Sequence, residues 1–196
     1  SVTGADGFIG SHLVEELLNQ KYKVKAFCLY NSFNSWGWLD NLPKEKLDRL
    51  EVFTGDIRDP NGVRVAMKDC DIVFHLAAVN GTKHFFSKPL DVIDDNINTT
   101  LKLINFYKKK KLKKFISAGS SEVYAGGQNL NNKKISHNED KPIIFKDITN
   151  PRWSYSSSKF MSEVIVINSG LPYIILRYFN VYGPNQKDHF FPEFIS

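Results

Sequence analysis

Tyr155 and Lys159 stand four residues apart in Tyr155-Ser156-Ser157-Ser158-Lys159, a spacing that puts both on one face of a helix. An ammonium near a phenol favours the phenolate. A phenol tuned in this way can move a proton to or from an alcohol or sugar hydroxyl while a hydride leaves the carbon. The same lysine can hydrogen-bond a ribose. A Tyr-x-x-x-Lys pair also occurs on ordinary helix surfaces, so its meaning depends on what precedes it. Here that is Thr3-Gly4-Ala5-Asp6-Gly7-Phe8-Ile9-Gly10-Ser11-His12-Leu13. Glycines at i, i+3 and i+6 let a backbone approach a pyrophosphate, and a helix N-terminus behind them favours negative charge. Between the two lies Ser117-Ala118-Gly119-Ser120-Ser121-Glu122-Val123-Tyr124, which brings the hydroxyl of Ser120 and the carboxylate of Glu122. Glu122 reads either as a substrate-side acid or as a loop-capping one.

The elements that must position these groups alternate along the chain. Strand-like runs fall at Val2-Thr3, Lys23 to Leu29, Leu50 to Phe53, Asp71 to Leu76, Lys114 to Ser117 and Tyr173 to Arg177. Helical patterns fall at Ser11 to Asn19, Asn61 to Lys68, Val92 to Lys111 and Trp153 to Asn168. Short β-branched runs between helices mean βαβ units and a parallel sheet. With a glycine loop after the first strand, the economical fold class is α/β, a doubly wound parallel sheet of the Rossmann type. Ligands of such sheets bind outside the carboxyl ends of the strands, where Ser120 and Glu122 fall. The stretch from Ala125 to Pro151 is polar and irregular, with an exposed loop expected at Asn129 to Lys134. The glycine loop starts at Gly4, and the apolar run Phe190 to Ile195 has no closing element. The expectation is a piece that lacks most of strand 1 and a C-terminal substrate lobe. On this reading residues 1–178 are the NAD(P)-binding domain and 179–196 begin a substrate-binding region.

Composition narrows the class. Hydrophobic residues make up 42% and charged residues 24%, ordinary values for a globular domain. The net charge of +5 owes much to Lys108-Lys109-Lys110-Lys111-Leu112-Lys113-Lys114. A nucleic-acid patch is one reading, but no aromatic residues interleave with the lysines and no second basic cluster supports it. The lysines read better as a solvated helix end, where the dipole favours cations. Cys28 and Cys70 match no metal or redox spacing and read as small core residues of a reducing compartment. His75, in a strand run, reads as a satisfied core histidine. No metal site, nucleic acid or membrane is expected, and the cytoplasm is the expected location.

Six motifs in order resemble one family. They are Gly4-x-x-Gly7-x-x-Gly10, Gly55-Asp56-Ile57-Arg58-Asp59, His75-Leu76-Ala77-Ala78, Ser120-Ser121-Glu122-Val123-Tyr124, Tyr155-x-x-x-Lys159 and Arg177-Tyr178-Phe179-Asn180-Val181-Tyr182-Gly183-Pro184. Over essentially all 196 residues the chain resembles the extended short-chain dehydrogenase/reductases of the nucleotide-sugar epimerase/dehydratase group. The resemblance implies that Gly4, Gly7, Phe8, Ile9 and Gly10 hold the pyrophosphate. It places Asp56 and Ile57 beside the adenine, and Leu76, Ala77 and Ala78 along the cofactor channel. Ser120, Tyr155 and Lys159 would form the catalytic set, with Tyr155 and Lys159 also touching the cofactor. Asn180 would touch the phosphates of a nucleotide-sugar substrate. Tightly held NAD would oxidise the sugar at C4 in a 4-epimerase or 4,6-dehydratase. The alternatives are a UDP-glucuronate decarboxylase-type enzyme of the same family and a cofactor-binding fragment without turnover. The resemblance also implies a homodimer, with the two long helices, Val92 to Lys111 and Trp153 to Asn168, at its interface.

The departures from the family pattern carry information. Tyr30-Asn31 stands where dinucleotide folds often place an acid for the adenosine ribose. Asn31 can still hydrogen-bond a ribose hydroxyl. With neither an acid nor an arginine there, NAD leads and NADP stays open. Ser121 replaces the aspartate common in dehydratases. The run Asn31 to Asp40 resembles an amino-sugar dehydratase subgroup, whereas Asn80-Gly81-Thr82 and Asn150 to Tyr155 look like epimerase and decarboxylase branches. Trp36 and Trp38 are expected to pack against, or cover, the adenosine end.

Overall fold

The computed structural model describes residues 1–127, 138–140, 142–145 and 147–186. The strands are β1 (Val2–Thr3), β2 (Val24–Leu29), β3 (Leu50–Gly55), β4 (Ile72–His75), β5 (Lys114–Ser120) and β6 (Tyr173–Tyr178). They form one sheet in the order β3-β2-β1-β4-β5-β6, and every pairing is parallel. The chain winds outward from β1 in one direction and then from β4 in the other. The reversal lies between β1 and β4, the place where a doubly wound sheet opens a crevice for a ligand. β1 is two residues long yet central: Thr3 pairs with Phe27 on one side and with His75 on the other.

The helices are α1 (Phe8–Asn19), α2 (Lys44–Leu47), α3 (Pro60–Ala66), α4 (Thr82–Ser87), α5 (Pro89–Tyr107) and α6 (Trp153–Ile167). Side chains of successive strand residues point to opposite faces, so β2 serves two cores. Ala26 and Cys28 pack with Val14 and Leu18 of α1 and with Leu39. Phe27 packs on the other face with Val63 of α3, Leu103, Ile104 and Tyr107 of α5, and Val166 of α6. Burying each such side chain contributes about 1.5–3 kcal/mol.

Element starts differ from the sequence expectation for local reasons. α1 begins at Phe8 because its first turn absorbs Gly10. α5 begins at Pro89, since proline suits a first helical position where no N–H acceptor is available. α3 is capped by Asp59, whose carboxylate accepts from the N–H groups of Asn61 at 3.0 Å and Gly62 at 3.1 Å, worth about 1 kcal/mol. The lysine run follows the end of α5, with Lys108 at its C-cap. α2, α4 and the 3₁₀ turns at Gly37–Asn41 and Ser121–Gly127 are too short to leave a periodic pattern. The loop expected at Asn129 to Lys134 lies outside the described residues. Among the described residues no helix is long and apolar enough to cross a membrane.

Candidate functional site

In a parallel sheet all strand carboxyl ends share one rim. Gly4 follows β1, Asn31 follows β2, Asp56 follows β3, and Leu76 to Ala78 follow β4. Ser120 closes β5 and Asn180 follows β6. The candidates scattered through the sequence therefore meet at one edge, beside the crossover between β1 and β4.

The glycine loop is shaped by space. Gly4 takes φ +68°, and a Cβ on it would lie 2.9 Å from the Ala77 backbone nitrogen. A Cβ on Gly10 would collide with the Gly4 carbonyl oxygen and sit 2.9 Å from Ala5 Cα. Gly7 is the N-cap of α1, with no side-chain cap. The first intrahelical bond runs from Ser11 N–H to Gly7 C=O at 2.9 Å, so the amides of Phe8, Ile9 and Gly10 precede the ladder and face the loop without an i−4 acceptor. Bare amides at a positive helix end, next to backbone that only glycine permits, fit a pyrophosphate.

The proton-transfer candidates are assembled by α6. Ser120, Tyr155 and Lys159 are 7%, 8% and 8% exposed. Lys159 donates to the Ala118 carbonyl at 2.9 Å, and its Nζ lies 5.8 Å from the Tyr155 ring centroid. Ser156 donates to the Glu122 carbonyl at 2.8 Å, while Glu122 N–H donates to Ser120 Oγ at 3.2 Å. α6 and the turn after β5 are thus stitched together around the candidates. Electrostatics corrects one expectation. Burial pushes the Tyr155 phenol above its ordinary value; a hydrogen bond with Ser120 acts downward and the Glu122 charge upward. The phenol, expected to be lowered, is therefore held neutral, because desolvation disfavours its anion. Burial likewise brings Lys159 down to about 8, with the Glu163 carboxylate opposing the fall.

The lysine shift gives a stability prediction with a definite sign. Between about 8 and the ordinary 10.5 the unfolded chain binds more protons at Lys159 than the folded one, so the Lys159 contribution to stability rises with pH there. Lys159→Met lacks this contribution. In denaturant titrations the stability of wild type relative to Lys159→Met is expected to rise by ~2–3 kcal/mol between pH 7.5 and 10.5. A pH-independent difference would mean that the ammonium is not desolvated.

The remaining candidates divide. Asn31, expected to meet a ribose hydroxyl, is engaged in its own loop: Nδ2 donates to Ser35 C=O at 2.7 Å, and Oδ1 accepts from Phe33 N–H at 3.1 Å. Asp56 is held ionised by Arg58, whose Nη2 lies 2.5 Å from its carboxylate. Ile57 packs against the α3–α5 core. Leu76 N–H and Ala77 N–H donate to the carbonyl and hydroxyl of Thr3, both at 3.2 Å, which ties the segment after β4 to β1. Asn180 is exposed just past β6. Glu122 pairs with Arg152 at 3.3 Å on the exposed rim. Trp36 packs against the α1-side core, and Trp38 N–H donates to Asp6 C=O at 3.1 Å.

Three features were not singled out in the sequence. Phe85 of α4 stacks on Tyr155, with centroids 4.6 Å apart and planes at 16°; no local pattern announces it. Glu163 forms a buried pair with Arg177 at 2.7 Å. Its signal was there, since Tyr155, Lys159 and Glu163 repeat every four residues on one helix face. A buried polar seam also runs from β1 to α6. Thr3 Oγ1 meets His75 Nδ1 at 2.9 Å, and His75 Nε2 meets Thr100 Oγ1 at 3.2 Å. Thr100 donates to Ser162 at 3.3 Å, and Asn96 donates to Ser158 at 3.0 Å. His75 is the satisfied core histidine expected, brought down to about 3 by burial and by the Lys159 charge. Among the described residues no group of three His, Cys, Asp or Glu could hold a metal ion.

Comparisons with known proteins agree with this geometry. The model of the NAD dependent epimerase/dehydratase family matches residues 1–196. A UDP-N-acetyl-alpha-D-glucosaminuronate decarboxylase of Bacillus cytotoxicus is 34% identical over 95% of this chain and 56% of its own length. A dTDP-D-glucose 4,6-dehydratase of Dictyostelium discoideum is 32% identical over 100% of this chain and 46% of its own. The crystal structure of UDP-glucuronic acid 4-epimerase from Bacillus cereus with UDP-glucuronic acid and NAD superposes with a TM-score of 0.74 at 32% identity, over 95% of this chain and 58% of that one. The chain thus spans about half the length of the relatives it matches. By its motifs, its sheet order and these matches, the chain belongs to the NAD dependent epimerase/dehydratase family.

Proposed function

We propose that this chain is the cofactor-binding part of an NAD-dependent enzyme that oxidises a nucleotide sugar transiently at C4, as a 4-epimerase or 4,6-dehydratase. The observation that carries the reading is the packing of Ser120, Tyr155 and Lys159 at the same rim as the glycine loop. Gly4, Gly7, Phe8, Ile9 and Gly10 would hold the pyrophosphate, with Leu76 to Ala78 along the channel. When bound, NAD supplies the hydride acceptor. Tyr155 takes the proton of the sugar hydroxyl in its phenolate form, which burial disfavours and a nearby Lys159 ammonium favours, while Ser120 holds that oxygen. Residues 179–196 lead into the substrate-binding region, where Asn180 meets the phosphates. α5 and α6 form the homodimer face, and the cytoplasm is the place of action.

One observation favours the decarboxylase reading as the second. Arg152 presents a half-exposed guanidinium at the rim, three residues before Tyr155, paired there with Glu122. An arginine so placed can receive the carboxylate of a uronic sugar by a bidentate contact. The test is turnover by the whole protein with UDP-glucose, UDP-N-acetylglucosamine, dTDP-glucose and UDP-glucuronate, beside calorimetry with NAD and NADP. Turnover of neutral sugars supports the first reading. Release of carbon dioxide from a uronate alone moves the assignment to the second. NAD binding with no turnover of any sugar sinks both.

A further inference from the structure

Below the candidate catalytic residues lies a charged cluster that their chemistry leaves unused. Glu163 of α6 is 3% exposed. Arg177 of β6 grips its carboxylate through Nε at 3.0 and 3.1 Å and through Nη2 at 2.7 Å. The other guanidinium nitrogen donates to the Tyr124 hydroxyl at 2.6 Å, and the guanidinium carbon lies 4.9 Å from the Tyr124 ring centroid. Gly119 opens the space for this carboxylate: a Cβ there would lie 2.8 Å from Glu163 Oε1. Its neighbour Ala118 is the residue whose carbonyl receives Lys159. Tyr155, Lys159 and Glu163 thus form one stripe of α6 along residues 118–120 of β5.

We propose that Glu163, held by Arg177, is a positioning residue whose buried carboxylate keeps Lys159 in its ammonium form, and so keeps a cation beside Tyr155. The inference rests on the reading of Lys159 as part of the catalytic set. The charges around Lys159 can be named. On α6 they are Tyr155, a neutral phenol, and Glu163. β4 brings His75, uncharged at neutral pH. β6 brings Arg177, the cation paired with Glu163. Glu122 acts on Tyr155 at the rim, where Arg152 pairs with it. α5 brings Asn96, Thr99 and Thr100 to the seam, none of them charged. Among the described residues Glu163 is the carboxylate that offsets the burial of the ammonium. A carboxylate one helical turn along the same face favours the charged lysine, and removing it leaves desolvation unopposed.

The test reads Lys159 directly. Lysine labelled with ¹³C at Cε is followed by NMR against pH in wild type, Glu163→Gln and the double variant Glu163→Gln/Arg177→Gln, with Lys159→Arg identifying the signal. The double variant removes both charges and keeps amides that can pair, in case a lone guanidinium unfolds the single variant. The Lys159 midpoint is expected to fall by about one pH unit or more in whichever variant folds, and the high-pH limb of turnover to move down with it. An unmoved midpoint overturns the proposal. So does failure of both variants to fold, which assigns the pair to the fold alone. The titration needs no turnover, so the two readings fail separately: a shifted lysine in a protein inactive on every nucleotide sugar keeps the coupling and removes the catalytic reading. An unshifted lysine in an active enzyme removes only the coupling.

Discussion

Tyr155→Phe is expected to lower turnover of the nucleotide-sugar substrate by about 10²–10⁴-fold, the usual size of a lost general acid–base group, while the fold survives. The ring is retained, so its stack on Phe85 persists. Ser120 Oγ still accepts from Glu122 N–H, which leaves no new orphan donor. The unfolding free energy should change by no more than about 1 kcal/mol, the net worth of one hydrogen bond. NAD affinity should stay within a few fold, because the glycine loop proposed to hold the phosphates lies at the start of α1, away from α6. The measurement is steady-state turnover beside thermal melts and NAD calorimetry on the same preparations. Full activity in Tyr155→Phe would remove the proton-transfer role. Loss of activity together with loss of folding would mean that the phenol is structural.

The second large effect lies in the glycine loop. A methyl group at Gly10 would run into the Gly4 carbonyl and the Ala5 backbone. Both obstacles are main chain, so no rotamer change relieves the clash. Gly10→Ala is expected to cost about 3 kcal/mol or more, in the range of severe steric lesions, and to abolish NAD binding by displacing the first turn of α1. Gly7→Ala is the internal control. A Cβ there would meet the Gly4 carbonyl at an ordinary 3.4 Å, and the backbone at φ −80° suits any residue. Its stability should change by less than about 1 kcal/mol. Urea denaturation of both variants separates the cases: equal losses would refute the crowding argument, since only one site is crowded.

The strands and long helices could be read from the sequence because periodicity reports burial directly. β2 shows why: Val24, Ala26 and Cys28 face one core while Phe27 faces the other, so the stretch from Ala26 to Cys28 is apolar without alternation, as an internal parallel strand should be. The glycine loop, Tyr155 and Lys159 were legible because their spacings are local. What stayed hidden depends on packing between distant segments. Phe85 reaches Tyr155 across 70 residues, and Arg177 reaches Glu163 from the next strand. The phenol shift was misjudged for the same reason. A lysine four residues away is visible in the sequence, whereas the depth of burial that outweighs it is a property of the assembled layers. Asn31 was read from its type alone, and its side chain turned out to close a loop with Ser35.

The polar seam from Thr3 through His75 and Thr100 to Ser162 has a consequence for motion. It joins the central strand to the helix that carries Tyr155 and Lys159 through side chains far apart in the chain. Opening α6 locally would strand several desolvated hydroxyl, amide and imidazole groups at once, each costing about 1–3 kcal/mol. The amides of α6 beside Ser158 and Ser162 should therefore exchange with deuterium only through global unfolding, alongside those of β4 and β5. Those around the half-buried turn at 183–186, outside the sheet and helices, should exchange early. The chemistry is thus expected to be mounted on the slowest-exchanging part of the molecule, and the adaptable part to lie toward the substrate.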